Sequence, residues 1–155
     1  MIDYQVKIFN EKNLKKKFTI YVLGIDIGGT NTNITVAGLE KTKPILLFSL
    51  NFESQKLNSL IPAINKTLSY TKKNFGITVK YSCIGAAGVV SPKNDFAKHT
   101  KLSWDVNSKE ILKNTSLEKA FVINDFQGIG YAINILNKKT EDFLNELTSL
   151  EVTVE

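Results

Sequence analysis

Two β-rich runs joined by a four-residue turn constrain this chain more than any other feature. Residues 18–27 read FTIYVLGIDI, whose β-branched and aromatic side chains suit a buried strand. Gly28-Gly29-Thr30-Asn31 interrupts the run. Residues 32–39 then alternate polar and apolar through Thr32, Asn33, Ile34, Thr35, Val36 and Ala37, the pattern of a half-buried strand. So short a link returns the chain antiparallel to itself, because a parallel return needs a crossover of a dozen or more residues. Residues 41–44 read as a further turn and 45–52 as a third strand, so an antiparallel meander of three is expected.

Helical spacing follows. Leu57, Leu60, Ile61, Ile64 and Leu68 recur at three- and four-residue steps, with Ser54 as the expected cap, Pro62 as an interior kink and residues 74–76 as the end. Residues 79–87 read as a strand running into Gly88, residues 91–104 as loop, 108–113 as a short helix and 119–123 as a strand entering Asn124-Asp125. Helices are expected at about 126–136 and, from Phe143, Leu144 and Leu147, within 140–150. Three strands, helix, strand, short helix, strand, helix is the order of an α/β fold with a ribonuclease-H-like mixed sheet. The expected division is a basic leader at 1–17, the lobe at 18–139 and a tail at 140–155.

Composition narrows the chemistry. With 155 residues, 43% hydrophobic and 23% charged, the chain has the make-up of one folded domain and not that of a disordered or membrane-spanning segment. A single cysteine excludes an intramolecular disulfide framework, and Cys83, set in a strand, reads as a buried structural thiol. His99 has no histidine or cysteine companion, so it reads as a loop residue and not as a metal ligand. Asp3, Lys7, Asn10, Glu11 and Lys12 break up the N-terminus, which makes cytoplasmic residence the expectation. Every one of the 20 basic side chains behind the +5 charge is lysine. Without the arginine fork, any phosphate recognition falls to lysine, backbone amides and metal. Lys12, Lys15, Lys16 and Lys17 read as a solvated leader, nucleic-acid contact being the alternative; neither a nucleic-acid nor a membrane partner is expected.

Two motifs carry chemistry. In Asp26-Ile27-Gly28-Gly29-Thr30-Asn31 the glycines let backbone amides approach an anion, Thr30 and Asn31 add neutral donors, and Asp26 suits a magnesium ion contacted through water. An ordinary glycine hairpin is the alternative. The Walker and GxGxxG patterns are absent. Asn124-Asp125 stands at the C-terminal end of an apolar strand, where carboxylates face ligand crevices in α/β sheets. There an aspartate can take the proton of a sugar hydroxyl and an asparagine can orient neighbouring hydroxyls; a plain helix cap is the alternative.

In this order the motifs make the chain resemble the bacterial-type glucokinases and related sugar kinases of the hexokinase, actin and heat-shock-chaperone ATPase superfamily. The likeness runs over about residues 21–136, carried by LGIDIGGTNTNITV at 23–36, IGAAGVV at 84–90, TKLSW at 100–104 and VINDF at 122–126. It implies an actin-like ATPase domain in which Gly28, Gly29, Thr30 and Asn31 bind the phosphates of ATP, with Mg2+ held through water by Asp26. It also implies that Asn124 and Asp125 bind the sugar, that Asp125 is the catalytic base, and that Gly88 borders the sugar crevice. Ser103 and Trp104 would lie on a nearby loop; Trp104 itself reads as packing beneath that loop, stacking on a sugar face being the alternative. Lys101 stands where related chains tend to carry asparagine. Such kinases have a second, larger lobe, so the chain is expected to be the N-terminal lobe, inactive by itself, of a kinase that makes glucose 6-phosphate at the entry to glycolysis. A homodimer is the association the resemblance suggests. The alternatives are a non-catalytic sugar-binding or regulatory lobe, or a kinase for another hexose or an N-acetylhexosamine. Asp125 favours a kinase, since a sensor needs no base.

Overall fold

The computed structural model describes residues 2–125. In chain order the elements are β1 (Gln5–Ile8), α1 (Glu11–Leu14), β2 (Tyr21–Ile27), β3 (Asn31–Glu40), β4 (Lys43–Glu53), a 3-10 turn (Ser54–Lys56), α2 (Ile61–Phe75), β5 (Tyr81–Ala86), β6 (Gly88–Val90), β7 (Phe96–His99), β8 (Val106–Asn107), α3 (Ser108–Asn114) and β9 (Lys119–Asn124). Six strands form one mixed sheet in the order β1-β4-β3-β2-β5-β9, and β6-β7-β8 form a second, small antiparallel sheet. The helices expected at 126–136 and 140–150 lie outside the described residues.

Period-two burial builds the large sheet. Leu23, Ile25 and Ile27 of β2 and Ile34 and Val36 of β3 turn to one face, where they meet Phe48, Leu50 and Phe52 of β4 and Ile84 of β5. Helix α2 covers that face with Ala63 and Ile64, while Tyr70 and Phe75 pack on Phe48, the Phe48–Phe75 ring centroids lying 4.8 Å apart. Each such large side chain contributes about 1.5–3 kcal/mol by leaving water. The opposite face carries Gly24, Asp26, Asn33, Asn51 and Cys83, a polar and mostly exposed set.

The meander of β2, β3 and β4 is present, with residues 41–42 alone forming its second turn and Lys41 in the left-handed region at φ 59°. Several expectations are corrected. Residues 5–8 are not a leader but a strand, β1, paired antiparallel with β4 through Gln5↔Asn51 and Ile8↔Phe48. Pro62 does not kink the helix; it sits in the first turn, where its fixed φ suits helix entry and its missing N–H costs no bond. Leu57 and Leu60 are buried ahead of that helix, and Ser54 is not its cap. The end was as expected, Gly76 closing the helix at φ 67°. Residues 91–104 are not simply loop, since they contain β7, which pairs with β6 and β8. Cys83 is exposed rather than buried, on the open face of β5; partial desolvation still pushes its thiol up, which keeps it protonated.

Candidate functional site

The three parallel strands converge on one edge of the sheet. The register aligns Ile27 of β2 with Ala86 of β5, and Ala86 with Asn124 of β9. The chain therefore leaves these strands at Gly28, at Ala87-Gly88 and at Asp125, side by side. Strand spacing puts the exits of β2 and β9 roughly 10 Å apart. The two motifs, remote in sequence, are thus brought to one edge of the sheet, the carboxyl ends of parallel strands beside which ligands bind in α/β sheets.

The glycine turn is closed by Gly28 N–H donating to the Asn31 carbonyl at 2.9 Å. Its other carbonyls are drawn to one side. Ser54 Oγ donates to Gly28 O at 2.7 Å, Gln55 Nε2 to Gly29 O at 3.0 Å and Ser54 N–H to Thr30 O at 2.8 Å. The N–H groups of Gly29 and Thr30 donate to no acceptor among the described residues. Carbonyls held away and amides left outward are what an anion-binding turn requires. A side chain at position 28 would press on this geometry, since a Cβ there would lie 3.0 Å from Asn31 O.

Beneath the turn lies a buried polar brace that sequence reasoning missed. Ser54 Oγ also meets Thr32 Oγ1 at 2.8 Å, and both residues are fully buried. Trp104, 6% exposed, packs in the core and donates from Nε1 to Ser54 O at 3.4 Å. His99 is buried at the end of β7 and not in a loop; its Nδ1 accepts from Lys101 N–H at 3.1 Å and its Nε2 faces Ile27 O at 3.4 Å. The only sequence signal for this brace was polar residues, Thr32 and Ser54, beside apolar runs.

At the other end, Asn124 Nδ2 donates to Gly88 O at 3.0 Å, joining two of the residues expected at the sugar crevice. A side chain at Gly88 would force the hairpin to shift, because a Cβ would come 2.1 Å from the Lys98 carbonyl oxygen across the β6–β7 pairing. Asn94 ties β9 to this hairpin, with Nδ2 donating to Val122 O at 2.9 Å and its own carbonyl accepting from Val122 N–H at 2.8 Å. Asp125 follows directly and is exposed. Asp26 and Asn33 are cross-strand partners on the open sheet face, so Asp26 presents an exposed carboxylate one residue before the turn reverses. Asn31 opens onto a groove of about 550 Å³ shared with Asn33, Asn51 and Glu53, away from Asn124. Among the described residues no three His, Cys, Asp or Glu side chains gather as a metal cluster, and no helix is long and apolar enough to cross a membrane.

A family model described as Glucokinase matches residues 23–151. The glucokinase of Nostoc sp. is 29% identical over 119 residues, 76% of this chain and 34% of its own length. That of Photorhabdus laumondii is 28% identical over 120 residues, 77% of this chain and 35% of its own. Among solved structures, glucokinase from an Antarctic psychrotroph superimposes with a TM-score of 0.65 at 26% identity, over 77% of this chain and 37% of that one. Glucokinase from Balamuthia mandrillaris, solved with glucose, shares the fold with a TM-score of 0.61 at 24% identity, over 74% of this chain and 32% of that one. The chain spans about a third of the length of the curated relatives it matches.

Proposed function

The chain belongs to the glucokinase family, and on that premise we propose that it forms the N-terminal lobe of an ATP-dependent hexose kinase whose acceptor is glucose. One observation carries the reading: the parallel alignment of β2, β5 and β9, by which the residue 28–31 turn and the Asn124-Asp125 pair lie at the same edge of the sheet with only β5 between their strands. A triphosphate laid on the outward amides of Gly29 and Thr30 then points along the crevice toward a sugar at Asp125. The relative solved with glucose supports that hexose as the first acceptor to test.

The proposed step is a direct phosphoryl transfer. The terminal hydroxyl oxygen of the sugar attacks the γ-phosphorus, its proton passes to the Asp125 carboxylate, and the bond to the bridging oxygen breaks with its electron pair leaving on ADP. Asn124, held against the Gly88 carbonyl, orients the sugar. Asp26 supplies one exposed carboxylate beside the turn, a donor set that suits a hydrated magnesium ion touched through water and not a chelated one. When bound with ATP, that ion neutralises charge on the phosphate oxygens. Positioning both substrates calls for the rest of the length its relatives have, so the 155 residues alone are expected to turn over no glucose.

Joined to the segment that completes its relatives' length, the chain should release ADP only when glucose is present. Asp125→Asn should then lower kcat about 10²–10⁴-fold, far more than it weakens glucose binding. Turnover untouched by Asp125→Asn would remove this residue as the base. Glucose binding without turnover in the unmodified protein would replace the kinase with a sugar-binding lobe.

A further inference from the structure

We propose that Lys101 is the cationic arm of the glycine turn, its ammonium binding the anionic oxygens of a polyphosphate that lies on the amides of Gly29 and Thr30; the inference rests on reading that turn as a phosphate cradle. The turn by itself is electrically neutral. It offers backbone amides and the Thr30 hydroxyl, and the chain contains no arginine to supply charge. A fixed cation beside such a cradle adds direct charge–charge attraction to a polyanion, which neutral amides and a hydroxyl do not supply.

Lys101 is placed to supply that cation. Its stem lies across Gly29: a Cβ at that position would come 3.2 Å from Lys101 Cδ and 3.4 Å from Lys101 Cβ. The ammonium, only two bonds beyond Cδ, is therefore within reach of the turn. The backbone of Lys101 is fixed from both sides. Its N–H donates to the buried His99 ring at 3.1 Å, and its carbonyl accepts from Gln55 Nε2 at 3.4 Å, the same amide group that holds Gly29 O at 3.0 Å. Gln55 thus ties the lysine backbone and the turn into one unit. The charge is also uncommitted, for the ion pairs among the described residues are Lys56–Glu53 and Lys80–Glu118, and Lys101 enters neither. A glycine at position 29 leaves room for this approach, since a Cβ there would crowd the lysine stem by a few tenths of an ångström.

Tripolyphosphate titrated into the 155-residue chain at low salt, followed through the amide resonances of residues 28–31, tests this. The unmodified chain should saturate, Lys101→Gln should bind about fivefold more weakly, the size of one exposed charge contact, and Lys101→Arg should restore the affinity. Raising salt to about 0.3 M should shrink the difference. Lys101 is exposed, so the variants keep their fold, which unchanged resonances in β3 and β4 would verify. Equal affinity in Lys101→Gln and the unmodified chain would overturn the role of Lys101 while leaving the turn as a phosphate site. Resonances of residues 28–31 that do not move in the unmodified chain would overturn the cradle and the lysine arm together.

Discussion

Ser54 is the residue on which the geometry of the glycine turn depends most. A single hydroxyl spans Thr32 Oγ1 and the Gly28 carbonyl, and Thr32 has no exposure to water in compensation. Ser54→Ala would strand that buried hydroxyl, so it should destabilise the fold by about 1–3 kcal/mol and speed amide exchange at Gly28. Chemical denaturation with hydrogen exchange would show both, and an unchanged midpoint would contradict the brace. His99 plays a matching part: because Nδ1 accepts from Lys101, the neutral ring carries its proton on Nε2, aimed at the Ile27 carbonyl. Gly88→Ala is the corresponding change at the sugar end. The added methyl must part β6 from β7, at a cost of about 1–3 kcal/mol, and should shift the Asn124 side-chain amide resonances through its bond to Gly88 O.

At the level of elements, the β6–β7 hairpin that carries Gly88 and leads to Lys101 has its own pH dependence. Ser91 Oγ donates to Asp95 Oδ1 at 2.6 Å and holds that carboxyl below the usual carboxylate range. A group depressed in the folded state contributes stability that is present above its unfolded value of about 3.9 and is lost as pH falls through the folded value. Ser91→Ala should therefore return the Asp95 titration midpoint upward toward about 3.9, as read by carboxyl carbon NMR. Elements with a clear period were legible from sequence: β2, β3, β4, β5 and β9 by alternation or apolar runs, and the end of α2 by Gly76. β1 was not, since its four residues are all exposed and alternate nothing, as befits a short edge strand with a lysine on it. The small sheet escaped because its strands have three, four and two residues, too few to show a period. Leu57 and Leu60 extended the helical stripe falsely, since they join the core from the segment that precedes α2 and not from the helix itself.

For the whole described unit, the site is a property of strand order. The glycine turn and the Asn124-Asp125 pair were each visible as local chemistry, but their adjacency follows from β2, β5 and β9 lying parallel, which no local pattern encodes. The same is true of Lys101, which reaches Gly29 only because β7 folds back on β6 and buries His99 beneath the turn. The outcome is one sheet edge with amides at the end of β2 and a carboxylate and an amide side chain at the end of β9. An amide NMR spectrum of the isotopically labelled chain, recorded with glucose and then with magnesium-ATP, tests this most directly. Shifts confined to Gly88, Asn124 and Asp125 with glucose, and to residues 28–31 with the nucleotide, are predicted. A dispersed spectrum in which neither ligand moves either end, or in which both move the groove lined by Gln5, Asn51 and Glu53 instead, would contradict it.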